Sequence, residues 1–365
     1  MKKQKAILVD LIHPRMLKRH ALDRMVELEE LVNTYGGIVI VKQWQKRFAP
    51  HPKTYIGTGK VEELGKEGKE NGVSLLIIND RLKPRQLFDI GEALRPYGMQ
   101  VWDRIDLILK IFAKHAKTAE AKLEIELASV RHMGPRIFGM GMELSRQGGG
   151  TGTRGLGETN IERMKRHLKE KERRIKKKLE KFQKGRSLVR QGRRRRGLKT
   201  VSIVGYTNAG KTTLLNALTG RKEYAADELF ATLDTRVGQL FLPGSHSTAL
   251  VSDTIGFIKD LPPELLAAFA STLSEAVEAD VLIHVVDASD KDRDKHIRVV
   301  EDILERLGLS DRPRIFVFNK IDQVERLDKR ALREQFDELP VAFVSAQEHS
   351  GFSELLELVE TSLNT

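Results

Sequence analysis

The chain has no cysteine, which excludes disulfides, thiolate metal ligands and a cysteine nucleophile. It also has no apolar run of eighteen residues. No membrane-spanning helix is therefore expected, and Met1-Lys2-Lys3-Gln4-Lys5 leads into a short strand rather than the apolar core of a signal peptide. The ten histidines are scattered, and none shows the H-x-x-x-H spacing of a helical metal site. A soluble cytoplasmic monomer without stable membrane insertion is the expectation, with partial membrane association left open. Acidic residues are scarce in one stretch only. Between Thr159 and Thr200, nineteen Lys and Arg stand against four Asp and Glu, a local charge of +15. The whole chain carries +12, so the remainder is close to −3, and the molecule is a near-neutral body with one basic arm.

The most informative stretch is Gly205-Tyr206-Thr207-Asn208-Ala209-Gly210-Lys211-Thr212, which fits G-x-x-x-x-G-K-[ST]. Thr200 to Val204 before it reads as a buried strand, and Thr213 to Leu218 after it as the first turns of a helix. That order is what phosphate binding needs, because a glycine-rich turn at a helix N-terminus aims backbone N–H groups at phosphate oxygens. Lys211 would reach the β- and γ-phosphates, and the Thr212 hydroxyl would bind Mg²⁺.

Three further segments name the nucleotide. Asn319-Lys320-Ile321-Asp322 follows the apolar strand Arg314 to Phe318. A carboxylate at Asp322 accepts from both the ring N–H and the exocyclic amine of guanine, donors that adenine lacks in that arrangement. Asn319 would tie this loop to the phosphate loop, and the Lys320 stem would lie along the base. Ser345-Ala346-Gln347 suits backbone recognition of the guanine oxygen. Asp253-Thr254-Ile255-Gly256 ends another strand, so Asp253 can hold Mg²⁺ through water while the Gly256 N–H senses the γ-phosphate. In Phe230-Ala231-Thr232-Leu233-Asp234-Thr235, Thr232 is expected to close over Mg²⁺, with Thr235 in reserve. The phosphate loop, Asp253 to Gly256, Asn319 to Asp322 and Ser345 to Gln347 all lie at predicted strand ends, where open α/β sheets bind ligands. The pattern predicts a GTP site with Lys211, Thr232 and Gly256 serving hydrolysis.

A glutamine that orients the attacking water in Ras-like proteins is missing, since Phe257 holds its position. Hydrolysis by the chain alone should be slow. Asn208 resembles the asparagine of GTPases that recruit K⁺ to offset transition-state charge, and the alternative is that it only stabilises the loop.

Residues 1–116 alternate strands with helices, which argues a small α/β domain. The strand-like runs are Ala6 to Val9, Gly37 to Val41, Val73 to Ile78 and Met99 to Trp102. Leu22 to Tyr35, Lys60 to Asn71 and Lys83 to Leu94 suit helices. Residues 117–196 read as a helical hairpin. Lys117 to Met133 is its first helix, Arg146 to Glu158 a glycine-rich loop, and a long basic helix follows. Ile161, Leu168, Ile175, Phe182 and Val189 recur every seven residues and predict a narrow seam for one partner helix. Gly192 to Gly197 reads as a linker into residues 197–365, the GTPase domain. With so few acidic partners the arm gains little from i,i+4 pairing, and a polyanion explains its charge. Phe182 is its one aromatic, which favours shape and phosphate recognition of folded RNA over base stacking. Arg146, Arg154, Arg193, Arg194, Arg195 and Arg196 are the candidate RNA contacts. The glycine-rich loop is open to three readings: a linker, an element that orders on RNA, or a second phosphate-binding element.

With these residues in view, the sequence resembles the HflX family of ribosome-associated GTPases over nearly its whole length. The distinctive stretches are Arg146 to Glu158, Tyr55-Ile56-Gly57-Thr58-Gly59-Lys60, and Asp103-Arg104 leading into Leu107 to Phe112. The phosphate loop and Asp253 to Phe257 are shared with Obg-type proteins. The resemblance implies an N-terminal α/β subdomain with a helical hairpin, followed by a Ras-like P-loop GTPase domain. It further implies binding to the large ribosomal subunit and ribosomal RNA, splitting or rescue of ribosomes under stress, and hydrolysis stimulated by ribosomes. Many members carry a further C-terminal domain, whereas Ser350 to Thr365 suffices only for the last GTPase helix. An ATP-driven RNA remodelling enzyme and a constitutive RNA-binding scaffold are the competing expectations.

Overall fold

The computed structural model describes residues 3–147, 154–220, 229–230, 236–259, 265, 273–336 and 339–364, with the side chains of 134–147, 154–161, 190, 194 and 274 outside that description. The chain forms two compact units. One comprises 1–114 and 123–178, the other 115–122 and 179–365.

The first unit is built on four parallel strands, β1 (Lys5–Ile12), β2 (Ile38–Lys46), β3 (Leu75–Ile78) and β4 (Gln100–Asp103), in the order β2-β1-β3-β4. Helices α1 (Lys18–Tyr35), α2 (Thr58–Glu70) and α3 (Pro84–Leu94) make the crossovers. The continuous apolar runs of β1 and β3 are buried on both faces, as parallel strands between helices must be. β2, at the sheet edge, alternates exposed and half-buried positions.

Polar residues at the strand ends are satisfied within the fold. Asp10, fully buried, takes a two-point contact from Arg24 at 2.8 and 2.9 Å and a hydrogen bond from Asn79 at 3.2 Å. Arg104 continues the network by donating to the side-chain Oδ1 of Asn79 at 2.9 Å and to Glu27 at 2.7 Å. Buried charges persist only when paired in this way.

The two N-terminal stretches that carry the resemblance also have local physical roles. Tyr55 lies in the left-handed region with φ 61°, and its hydroxyl donates to Asp80 at 2.6 Å. The Gly57 N–H is held by Gln45 at 2.9 Å just before α2 starts. Asp103 and Asp106 cap each other reciprocally at 2.8 and 3.1 Å, which starts α4 (Arg104–His115). His132 stands 3.4 Å from both carboxylates.

Two long helices follow, α5 (Ala119–Gln147) and α6 (Arg154–Arg195). Glu126–Lys171 (2.8 Å) and Arg131–Glu172 (3.0 Å) join them in one unit and Glu120–Arg186 (2.7 Å) in the other. Residues 148–153 of the glycine-rich loop lie outside the described residues, and Arg154 to Glu158 are helical rather than loop. The seven-residue seam needs correction. Ile175 and Leu179 are buried, whereas Phe182 and Val189 are exposed. At that level α6 turns toward Glu275, and Phe182 and Val189 border a groove of about 310 Å³ with Arg186, Arg193 and Glu275. The expected linker is also corrected, because α6 continues through Arg195. Among the described residues, no helix is long and apolar enough to cross a membrane.

Among the described residues, the second unit contains six strands. They are β5 (Thr200–Gly205), β6 (Arg236–Leu242), β7 (Ser247–Asp253), β8 (Val281–Asp287), β9 (Arg314–Asn319) and β10 (Val341–Phe343), in the order β10-β9-β8-β5-β7-β6. Only β6 is antiparallel. Its described helices are α7 (Lys211–Thr219), α8 (Ser274–Glu278), α9 (Arg293–Arg306), α10 (Lys329–Gln335) and α11 (Phe352–Asn364). β5 pairs with β7 on one side and β8 on the other, so the topological switch point is at its carboxyl end. The phosphate loop leaves the sheet there.

Candidate functional site

β5 is an apolar strand buried on both faces, and at Gly205 it turns sharply. Gly205 has φ 152°, and a Cβ there would lie 2.4 Å from the Val285 carbonyl oxygen, so no side chain fits. Asn208 takes φ 63° and Gly210 φ 89°, which folds residues 205–210 into a loop ahead of α7. A Cβ on Gly210 would meet the Asn319 amide nitrogen at 2.3 Å. This close approach lets Asn319 donate to the Ala209 carbonyl at 3.0 Å while its own carbonyl oxygen accepts from the Ala346 N–H at 3.0 Å. One asparagine thus joins the phosphate loop, the end of β9 and the segment after β10.

The Lys211 amine is buried beside this loop and donates to the Tyr206 carbonyl at 2.7 Å. Burial pushes its pKa down to about 8, with Lys320 adding repulsion and Asp253 opposing both. Phosphate oxygens placed against the amine would restore its charge and raise the pKa. The sign follows: below about pH 8 the amine is charged in the free and bound protein alike, and above it binding must take up a proton. GDP affinity is therefore expected to fall as pH rises beyond about 8, by up to tenfold per unit. Titration calorimetry at pH 8.5 in two buffers of different ionisation heat checks this, and equal enthalpies in both would reject it.

Thr212 and Asp253 meet where a divalent cation would be needed. The Thr212 hydroxyl donates to the Asp253 carboxylate at 2.7 Å, and both are buried. A hydroxyl and a carboxylate are hard oxygen ligands of the kind Mg²⁺ takes, so the donor set fits that ion. Thr254 hydrogen-bonds back to the Ile203 carbonyl at 2.8 Å, and Ile255 is buried. A Cβ on Gly256 would lie 2.8 Å from Thr207 and 3.0 Å from the Lys211 amine, so its backbone rests directly on the loop. Phe257 is fully buried and exchanges main-chain bonds with the loop. Its N–H donates to Gly205 at 3.1 Å, and its carbonyl accepts from Thr207 at 2.8 Å. Its side chain belongs to the core and has no means of orienting water.

Asp322 and Gln347 are exposed, Ser345 and Ala346 buried, and Thr213 half-buried in the first turn of α7. Lys320 adopts φ 61° and pairs with Asp287 at 2.7 Å. Thr232 and Thr235 lie outside the described residues, as do the side chains of Arg146, Arg154 and Arg194. The remaining arginines are not equivalent. Arg195 and Arg196 are exposed, whereas Arg193 pairs with Glu275 at 3.3 Å.

Several contacts of the site have no local signal in the sequence. The Tyr206 ring stacks on His296 at 3.8 Å and 10°, and its hydroxyl accepts from the Lys259 N–H at 3.0 Å. His115 contacts the Phe230 carbonyl at 3.1 Å. Each pair is separated by tens of residues or more and carries no motif.

Comparisons with known proteins identify relatives of the whole chain. Family models described as GTP-binding GTPase N-terminal, GTP-binding GTPase Middle Region and 50S ribosome-binding GTPase match residues 22–113, 115–193 and 200–320. GTPase HflX of Caldanaerobacter subterraneus is 43% identical over 99% of this chain and 81% of its own. GTPase HflX of Escherichia coli is 38% identical over 97% of this chain and 82% of its own. A crystal structure of a GTP-binding protein from Sulfolobus solfataricus in complex with GDP matches with TM-score 0.51 and 26% identity, covering 100% of this chain and 99% of that one.

Proposed function

The chain belongs to the HflX family of GTPases and hydrolyses GTP, and from that premise we propose that it is a GTP-switched factor of the large ribosomal subunit that promotes ribosome splitting or recycling under stress. Three parts share the work: 1–116 and 117–196 engage the ribosome, and 197–365 turns over the nucleotide. The middle part contributes to both compact units.

Within the site, the loop N–H groups from Tyr206 to Thr213 cradle phosphate, and Lys211 neutralises charge on the β- and γ-phosphates. Thr212 and Asp253 would hold Mg²⁺ together with Thr232, and the ion would supply electrostatic stabilisation of the phosphates. Gly256 donates its N–H toward the γ-phosphate, which a side chain at that contact would displace. Asn319 and Lys320 shape the base pocket, Asp322 selects guanine, and Ser345 to Gln347 close over its oxygen. K⁺ at Asn208 is a further proposal, which turnover in K⁺ against Na⁺ would test.

The observation that carries ribosome binding is the charge of α6, with Arg195 at its end and Arg196 just after it both exposed immediately before the nucleotide-binding fold. The family-model description of residues 200–320 as a 50S ribosome-binding GTPase supports the same reading. The test is co-sedimentation with large ribosomal subunits in GDP and in a non-hydrolysable GTP analogue. Stronger retention with the analogue is expected, and equal retention would defeat the switch. Replacing Arg195 and Arg196 by Gln should weaken retention and flatten its salt dependence by about 1 to 2 in log–log slope. An unchanged slope would remove these residues from the phosphate contacts.

A further inference from the structure

Tyr206 is the second residue of the phosphate loop, and its side chain makes a connection that the loop motif does not require. The main chain on either side of it already exchanges bonds with Phe257. Its hydroxyl reaches two residues further and accepts the Lys259 N–H at 3.0 Å. Phe257 to Lys259 is therefore held to the phosphate loop at both ends, with Ile258 fully buried between them. Gly256, one residue earlier, rests so closely on the loop that a Cβ would lie 2.8 Å from Thr207. The placement of this segment has little slack.

A tyrosine hydroxyl anchors a backbone only if the ring that carries it is itself fixed. His296 supplies that constraint, because its ring lies on the Tyr206 ring at 3.8 Å with 10° between the planes. Stacked rings resist tilting and sliding. His296 is aimed in turn by Asp290, whose carboxylate is 2.6 Å from Nδ1. An ionised carboxylate only accepts, so Nδ1 carries the proton and donates. The other Asp290 oxygen accepts the Asp292 N–H at 2.8 Å. Sheet topology brings these groups together. β8 runs parallel to β5 with Val285 opposite Gly205, so the turn after β8 and the first turn of α9 lie beside the start of the phosphate loop.

We propose that His296 is a positioning residue for GTP hydrolysis. Held by Asp290, it fixes the Tyr206 ring, and the Tyr206 hydroxyl then fixes Lys259 and with it the Gly256 N–H. Its action is through Tyr206 and not on the nucleotide itself. The inference rests on the reading of Gly256 as the group that donates to the γ-phosphate.

The stack and the hydroxyl can be removed separately and together. Steady-state GTP turnover, thermal unfolding and amide hydrogen exchange at Lys259 are measured for His296→Ala, His296→Phe, Tyr206→Phe, the double variant carrying His296→Ala and Tyr206→Phe, and Gly256→Ala. His296→Ala and Tyr206→Phe are each expected to lose about fivefold in kcat, the worth of one ordinary hydrogen bond. Exchange at Lys259 should quicken in both. His296→Phe keeps a flat ring on Tyr206 and should retain kcat within about twofold, and in both His296 variants KM and GDP affinity should stay close to those of the parent. Both single variants break the same connection, so the double variant should also lose only about fivefold, whereas independent effects would multiply to about 25-fold and overturn the proposal. A loss in His296→Phe equal to that in His296→Ala would overturn the stacking role. If Gly256→Ala slows turnover while His296→Ala changes neither turnover nor Lys259 exchange, the positioning role alone fails. If Gly256→Ala leaves turnover intact, the reading of that segment fails and the positioning role falls with it.

Discussion

Lys211→Ala is expected to lower GTP turnover by a factor on the order of 10² to 10³, the usual effect of removing one preorganised charge-stabilising donor from an active site. The amine is already buried beside the phosphate loop, held by the Tyr206 carbonyl and close to Gly256. That position costs desolvation, as its lowered pKa shows. Phosphate charge offsets that cost, so the interaction strengthens as charge accumulates on the transferring group. Single-turnover hydrolysis with saturating GTP isolates this effect from weaker binding. Lys211→Met, which keeps the buried stem, separates charge from packing. A loss below about tenfold in both variants would mean that Lys211 does not face the phosphates.

Asp322→Ala is expected to lower GDP and GTP affinity by about 10² to 10³. Two hydrogen bonds to a carboxylate are worth about 1.5 to 3 kcal/mol each, and the exposure of Asp322 at the mouth of the site points to the lower end of that range. ATP and ADP affinity should not change, since adenine gains nothing from the carboxylate. Asp322→Asn presents an N–H where guanine carries an amine, and should therefore favour xanthine nucleotides, which have a carbonyl there. Fluorescent nucleotide titration with the three bases distinguishes the cases. Unchanged GDP affinity in Asp322→Ala would remove this residue from base selection and leave discrimination to the segment Ser345 to Gln347.

The nucleotide site was unusually legible because its parts are contiguous motifs at the ends of apolar strands. A run such as Val201 to Val204 declares a buried strand, and the glycines after it declare the turn that sterics then require at Gly205 and Gly210. The alternating strands and helices of residues 1–116 were legible for the same reason, with boundaries shifted by a few residues; α4 was not separately expected. The hairpin seam is less legible. Its seven-residue spacing holds across Ile175 and fails at Phe182 and Val189. Periodicity reports that a face is apolar, but not which neighbour covers it. Near its end α6 faces Glu275 of the GTPase fold. The four consecutive arginines illustrate the same limit, since Arg193 is engaged by Glu275 while Arg195 and Arg196 are exposed.

What the sequence determined by itself was chemistry carried by near neighbours: a phosphate loop, a guanine-type base motif, a hydrophobic residue in place of the water-orienting glutamine, and a concentrated positive charge. Those follow from residue type and short spacing, because local sterics and hydrogen bonding already limit what such segments can form. Only the tertiary structure brought Asn319 onto Ala209, Phe257 onto Gly205, Tyr206 onto His296 and His115 onto Phe230. Each of these contacts is weak alone and has no sequence pattern. They exist because the burial of two sheets fixes strand order, and strand order decides which distant loops share one edge.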